Sequence, residues 1–371
     1  MGAGSSAERR AMNRPLASSK PADAAGPLNG ELAAAEAPAP RVGPFERLRR
    51  FGGDGANLRL MVLIAILLAG FGLMIGEQLF SAASLQSMAY QLPELGILSL
   101  AMMVTLLSGG INLSVIATAN LCALTMAAIL TRFVPGSEGA AWVLIQVAAL
   151  AAGFAVAALI GLVNGFVIAY LRVSPILATL GTMTLVKGIS VGTTRGNVIS
   201  GFPEPIVFIG NGAVLGIPVA LLVFAAAALP LAIMLNRSPL GAAIYMTGSN
   251  ERATRFSGIQ TRRVILKVYL ISSLLAAVAA VVMMARFNSA NASYGESYLL
   301  VTILAAVLGG INPMGGFGKV SGLVLALIML QIISSAFNLL NFSAFLTLAI
   351  WGGILIAVAG MTQLRQRLKG G

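Results

Sequence analysis

The chain has 371 residues, of which 58% are hydrophobic and 10% charged. Soluble domains carry about 25% charged residues, so this chain cannot dress a water-facing surface of ordinary size, and its apolar excess must face lipid. The net charge of +12 does not point to nucleic acid, because the cations cluster beside apolar runs, and the absence of His with a single Cys excludes histidine general bases, intrachain disulfides and zinc-type metal sites.

Residues 1–57 are rich in Ala, Pro, Gly and Arg and hold six acids without a core-forming period, the pattern of a disordered tail, here on the cytoplasmic side. Those acids argue against a transit peptide, and the first apolar run starts too deep for a secretion signal. Crossing a ~30 Å hydrocarbon layer takes about 20 apolar residues in a helix. From Leu58 onward ten such spans are expected, at about 59–78, 85–107, 113–131, 142–170, 175–192, 214–235, 264–284, 298–309, 320–340 and 343–362. The expected fold class is therefore all-α, a polytopic helical membrane protein with a membrane domain over 58–364 and a basic tail over 365–371. Ten spans with a cytoplasmic amino terminus leave twenty of the 24 cations inside, as the positive-inside rule requires, and both termini are then cytoplasmic. Trp142, Tyr294, Tyr298 and Tyr170 fall near the ends of spans, where amphipathic rings favour the headgroup zone.

Between the second and third spans the sequence reads VTLLSGGINLS (104–114). LSGG resembles the opening of the signature motif of ATP-binding-cassette ATPases, yet a phosphate-binding loop needs GxxxxGK[ST]. The nearest approach, Pro313 to Val320, has Pro for the first Gly and Val for the magnesium-binding hydroxyl. The chain is thus not expected to be an enzyme or to bind a cofactor. GGIN itself recurs at 109–112 and 309–312. Adjacent glycines weaken a helix by about 1 kcal/mol each relative to Ala, so Gly109, Gly110, Gly309 and Gly310 mark helix breaks. Paired Gly-interrupted segments in two halves point to a transporter's translocation path, but small residues also permit close helix packing. With Asn following in both copies, the two readings stand level.

The segment 236–263 carries five Arg and one Glu and cannot span. Within it, Ser249 or Asn250 suits a helix N-cap, Glu251 suits the first turn, and Gly258 is placed to terminate. The product is a polar helix of about two turns, too short to stand alone, which must rest against its own bundle or a partner.

Here a resemblance becomes specific. GSNERATRFSGI (248–259) is similar to the pattern G-x-N-x-x-A-A-x-x-S-G-I of permease subunits from ATP-binding-cassette sugar importers of the ribose, xylose and arabinose type, with Thr254 in place of the second Ala. LSGGINLSV (107–115) resembles the family's T-G-G-I-D-L-S-V, Asn112 replacing Asp. GLVNGFVIAYLRVSPILATLGTM (161–183) and AAVLGGINPMGGFGKVSG (305–322) match two further stretches in order. The resemblance covers residues 85–360 and implies alternating access without chemistry on the solute. It implies that Gly248, Asn250, Glu251, Arg252, Ala253, Arg255, Ser257 and Gly258 couple the bundle to a separate ATPase subunit, which binds the ATP and magnesium. It further implies a periplasmic substrate-binding protein docking near 193–213 and 285–297, a second permease copy forming a homodimer, and residence in the bacterial inner membrane. The cargo implied is a monosaccharide, with no nucleic-acid partner.

Polar side chains within spans usually face the bundle interior, which makes Glu94, Asn112, Asn164, Thr179, Thr182 and Asn312 candidates for a path of transient hydrogen bonds to sugar hydroxyls. Interhelical hydrogen bonding, worth under about 2 kcal/mol per bond, is the competing role for each, and Glu94 has a third option, a solvated place at the outer mouth. An ion-coupled carrier is the rival class, but only Glu94 offers it an intramembrane carboxylate. Permeases for nucleosides, branched-chain amino acids or signalling sugars share the expected architecture.

Overall fold

The computed structural model describes residues 55–369. The tail expected over 1–57 lies outside the described residues except for its last three, which already belong to the first helix. The basic tail expected over 365–371 is helical backbone through Lys369, and its side chains lie outside the described residues.

In chain order the first half comprises α1 (Gly55–Ile75), α2 (Ala82–Leu107), α3 (Val115–Phe133), α4 (Gly139–Ala169), α5 (Pro175–Thr194), β1 (Ile199–Ser200) and α6 (Glu204–Asn211). A hairpin of β2 (Ala213–Val214) and β3 (Ile217–Pro218) leads into α7 (Val219–Arg237), α8 (Pro239–Ser249) and α9 (Glu251–Phe256). The chain closes with α10 (Thr261–Phe287), β4 (Ser289–Ala290), α11 (Tyr298–Leu308), α12 (Val320–Leu339) and α13 (Ala344–Lys369). Among the described residues eight helices are long and apolar enough to cross a membrane, and two more apolar helices, Tyr298–Leu308 and Phe345–Ala357, are shorter.

Every expected span coincides with a helix, with one shift at its start. The run expected from 214 begins as a hairpin, because Leu215 and Gly216 both take positive φ, the requirement of a type I′ turn. Only from Val219 does it become helical.

The bundle is organised around α10 and α2, whose most apolar windows are 72% and 78% buried, against 6% for α1 and 17% for α5. The reason lies in side-chain size. α10 reads SSLLAAVAAVVMMA over 272–285, and it packs against α2, α3, α4 and α6. On α4, a Cβ at Gly161 would stand 2.9 Å from the Leu270 Cα and one at Gly165 would stand 2.9 Å from the Leu266 Cα. These two glycines, four apart, let the α4 and α10 backbones touch, which is how helices gain packing energy where the surroundings are as apolar as they are.

At one end of the bundle the connections are sewn together. β1 pairs antiparallel with β4, Ile199 opposite Ala290 and Ser200 opposite Ser289. Asn120 on α3 donates to the carbonyls of Ala292 (3.0 Å) and Tyr294 (2.9 Å), and Asn211 donates to that of Ala285 at 2.9 Å. The opposite end carries α8, α9 and both GGIN segments.

Candidate functional site

The first GGIN ends α2. Gly109 takes φ +82, and the backbone N–H groups of Gly109 and Gly110 donate to the carbonyls of Leu106 and Thr105, a left-handed C-terminal cap. The second ends α11, but there Gly310 takes φ +81 and its N–H donates to Val307, while Ile311 donates to Ala306. The identical tetrapeptides are therefore offset by one residue relative to the helix ends they terminate. Each other glycine serves close approach: a Cβ on Gly110 would stand 2.5 Å from the Tyr269 hydroxyl, and one on Gly309 would stand 2.8 Å from the Leu323 backbone. In each pair, therefore, one glycine ends its helix and the other permits a close approach.

Four of the six polar candidates meet just beyond the first break. Asn112 Nδ2 donates to Ser272 Oγ at 2.9 Å, and its Oδ1 accepts from the Ser114 N–H (3.1 Å) and hydroxyl (2.7 Å). Asn164 Nδ2 donates to Ser114 Oγ at 2.9 Å, and Thr182 Oγ1 donates to Asn164 Oδ1 at 2.6 Å. Thr179 Oγ1 receives the Leu113 N–H at 3.1 Å and reaches the Ile111 and Pro175 carbonyls. Asn112, Ser114, Asn164, Thr179 and Ser272 are fully buried. The set ties α3, α4, α5 and α10 to the break, and its amides and hydroxyls are engaged with one another. Asn312 lies elsewhere, in the loop after α11, where its Oδ1 accepts from the Met314 N–H at 3.0 Å. Ser114 and Ser272 were not singled out from sequence, although Ser114 sits inside the LSGGINLSV stretch.

The segment expected to couple is rooted in a close backbone junction. The Leu107 carbonyl, left without an intrahelical partner at the end of α2, accepts the Gly316 N–H from the second break loop at 2.9 Å. A Cβ on Gly248, in the last turn of α8, would collide with that same carbonyl oxygen, and one on Gly315 would stand 2.7 Å from the Gly109 nitrogen. Tyr245 on α8 donates to the Gly318 carbonyl at 2.8 Å. The first break, the loop that follows the second and the root of α9 therefore share one backbone contact. From this root α9 projects. Asn250 is its N-cap, accepting the Ala253 N–H at 3.0 Å, and Gly258 closes it with φ +83, as the sequence predicts. Thr254 is buried and returns its hydroxyl to the Asn250 carbonyl at 2.8 Å, so the hydroxyl is satisfied at a position that the resemblance gives to Ala. Glu251, Arg252, Ala253, Arg255, Ser257 and Gly258 are exposed. Phe256, missed from sequence, is 92% exposed. The preceding helix α8 was likewise not anticipated; Ser238 caps it through the Gly241 N–H at 3.0 Å.

Glu94 occupies neither the knot nor a solvated mouth. It is 2% exposed. Arg286 Nη1 lies 3.0 Å from its Oε1 and the Tyr298 hydroxyl donates to that oxygen at 2.7 Å, while its Oε2 has no partner. Pro93 precedes it inside α2, where the missing N–H opens one rung of the helix ladder. A more exposed pair, Lys187 with Glu296 at 2.8 Å, links α5 to the loop before α11. Glu296 lies outside the membrane helices, and the hydrogen bond from Lys187 holds its carboxyl below the usual carboxylate range.

Comparison with known proteins gives several relatives of similar length. The autoinducer 2 import system permease protein of Yersinia enterocolitica is 31% identical over 317 residues, covering 84% of this chain and 91% of that protein. The ribose import permease protein of Bacillus subtilis is 35% identical over 266 residues, covering 71% of this chain and 80% of its own. The autoinducer 2 import system permease protein of Photorhabdus temperata is 30% identical over 323 residues, covering 84% and 92%. No solved structure matches. The family described as the permease component of branched-chain amino acid transport systems matches residues 84–359, and this chain, a multi-pass inner-membrane protein, belongs to that family.

Proposed function

We propose that the chain is the membrane-spanning subunit of an ATP-binding-cassette importer that moves a monosaccharide, pentose or hexose, inward by alternating access. In this reading ten helical segments traverse the membrane with both termini and α9 on the cytoplasmic side. The observation that carries it is α9 itself: a capped, two-turn helix with exposed Arg252, Arg255 and Phe256, rooted in the backbone contact between the first helix break and the loop after the second. A separate ATPase subunit binds and hydrolyses ATP, and its closure displaces α9. The relatives named for ribose and for autoinducer 2 import support a sugar-like cargo.

The Asn112–Asn164–Thr182 knot holds the first break in register as helices move past it, and Asn312 does the same for the second. The sewn end, with Leu215 97% exposed at the hairpin tip, receives the periplasmic substrate-binding protein. A second copy of the chain faces α5, where Gly181, Gly188 and Gly192 meet nothing within 4 Å and share one helix face by their spacing. An ion-coupled carrier fits less well, because Glu94 is engaged by Arg286 and Tyr298.

The test is reconstitution in vesicles with the cognate ATPase and binding protein, assayed across D-ribose, D-xylose, L-arabinose, D-galactose and autoinducer 2. ATP-dependent uptake of one of these is expected. Uptake driven by an ion gradient with the ATPase omitted would overturn the reading.

A further inference from the structure

Beside the Glu94–Arg286 pair lies a cavity of about 610 Å³ walled by α2, the end of α10, the start of α11, α12 and α13. We propose that this cavity is a solute subsite for a single neutral sugar ring, a role that rests on the importer reading above and gives it a location within the bundle.

Four observations converge on that chemistry. First, the size suits a small solute, since pockets for such ligands run from roughly 300 to 1,000 Å³. Second, the lining offers donors and acceptors together. Gln331, 8% exposed, donates to Gln91 at 3.3 Å, a long contact that the two amides can exchange for hydrogen bonds to a solute hydroxyl. Asn338 and Tyr298 line the same space. Third, Glu94 and Arg286 line the cavity as an ion pair, so its polar wall carries no net charge. Fourth, Trp351, 7% exposed, stands in the wall, and an aromatic face suits the C–H side of a sugar ring.

The same inventory discriminates against other cargo. Arg286 and Glu94 cancel each other's charge, so the site offers an anion no unpaired cation and a cation no unpaired carboxylate. A lipid chain would gain nothing from the amides. Glu94 lies roughly 20 Å of helix from the end of α2 at Leu107, at 1.5 Å per residue, beside the end of α10 at Arg286 and the start of α11 at Tyr298. The Asn112 knot, by contrast, has its hydrogen bonds already engaged.

The experiment uses the full transporter in vesicles with Gln331→Leu and, separately, the rim variant Asn338→Leu. It is paired with emission from Trp351 in full-length permease carrying Trp142→Phe, which leaves one of the chain's two tryptophans. The sugars are the uptake panel above, tested singly. Each leucine variant is expected to raise the half-saturation concentration of uptake by about tenfold, the factor that one lost hydrogen bond to a buried group supplies, with the binding protein's own affinity for the sugar unchanged. The transported sugar is expected to shift Trp351 emission saturably. Wild-type half-saturation in both variants with unmoved emission would overturn the subsite and leave the importer reading standing. No ATP-dependent uptake of any panel sugar by the wild-type complex would remove the reading and the subsite together.

Discussion

Arg286 has a different role from the one its sequence position suggests. The sequence ends the apolar run near residue 284, which puts this cation outside the membrane, but α10 continues to Phe287 and carries the guanidinium inward to Glu94. Span-edge reasoning cannot see such pairing, although one rule could have found it: an intramembrane carboxylate seeks a partner of opposite charge, and few cations lie close to spans. Breaking a buried pair by removing one member costs about 3–5 kcal/mol, because the other charge is left uncompensated. Arg286→Ala should therefore lower the melting temperature of detergent-solubilised protein markedly, and Arg286→Ala combined with Glu94→Ala should regain much of that loss in the same thermal scan. A double variant no more stable than the single would show that the pair is incidental. Local backbone chemistry was more legible. The capping role of Asn250 and the terminating role of Gly258 were both readable because each depends only on its immediate neighbours. The GGIN echo misleads in the opposite sense, since equal letters occupy unequal places on their two helix ends.

At the scale of elements, hydropathy located the long helices because burial in lipid imposes length and apolarity along the whole segment. It was silent about α6, α8 and the two short ladders, which lie at bundle ends where no length rule applies and where tertiary hydrogen bonds, such as those of Asn120 and Asn211, decide the conformation. The element on which the proposed function turns is α9. An aromatic side chain left exposed at its end is a typical anchor for a partner pocket, and truncating such an anchor commonly costs more than about 1.4 kcal/mol, a factor of ten. Phe256→Ala should accordingly reduce ATP-driven uptake about tenfold or more while the permease still inserts and melts as wild type. Gly258→Pro removes the positive φ that closes the helix and should raise ATP hydrolysed per sugar imported. Both are read from the ratio of phosphate released to sugar taken up in vesicles, and an unchanged ratio in either would count against docking through α9.

For the whole molecule, the two ends of the bundle have opposite characters. One is laced across by β1–β4 and by asparagine side chains, while the other presents α8, α9 and exposed arginines. The proposed topology puts these ends on opposite sides of the membrane. In a Cys122→Ala background, Ser257→Cys should react with an impermeant thiol reagent only from the cytoplasmic side, and Leu215→Cys only from outside. Labelling of both from one side of sealed, oriented vesicles would refute the arrangement. The charge distribution suggested this polarity, and the placement of α9 and the hairpin on different ends of α7 agrees with it.

The meeting of Gly109, Gly248, Gly315 and Gly316 at the Leu107 carbonyl has a mechanical consequence. Side chains normally act as compliant washers between helices, absorbing an ångström of travel through rotamer changes. Here main chain bears directly on main chain, so that compliance is missing. In the proposed function, a tilt imposed on α9 therefore passes to the end of α2 and to the loop after α11 together instead of being absorbed between them.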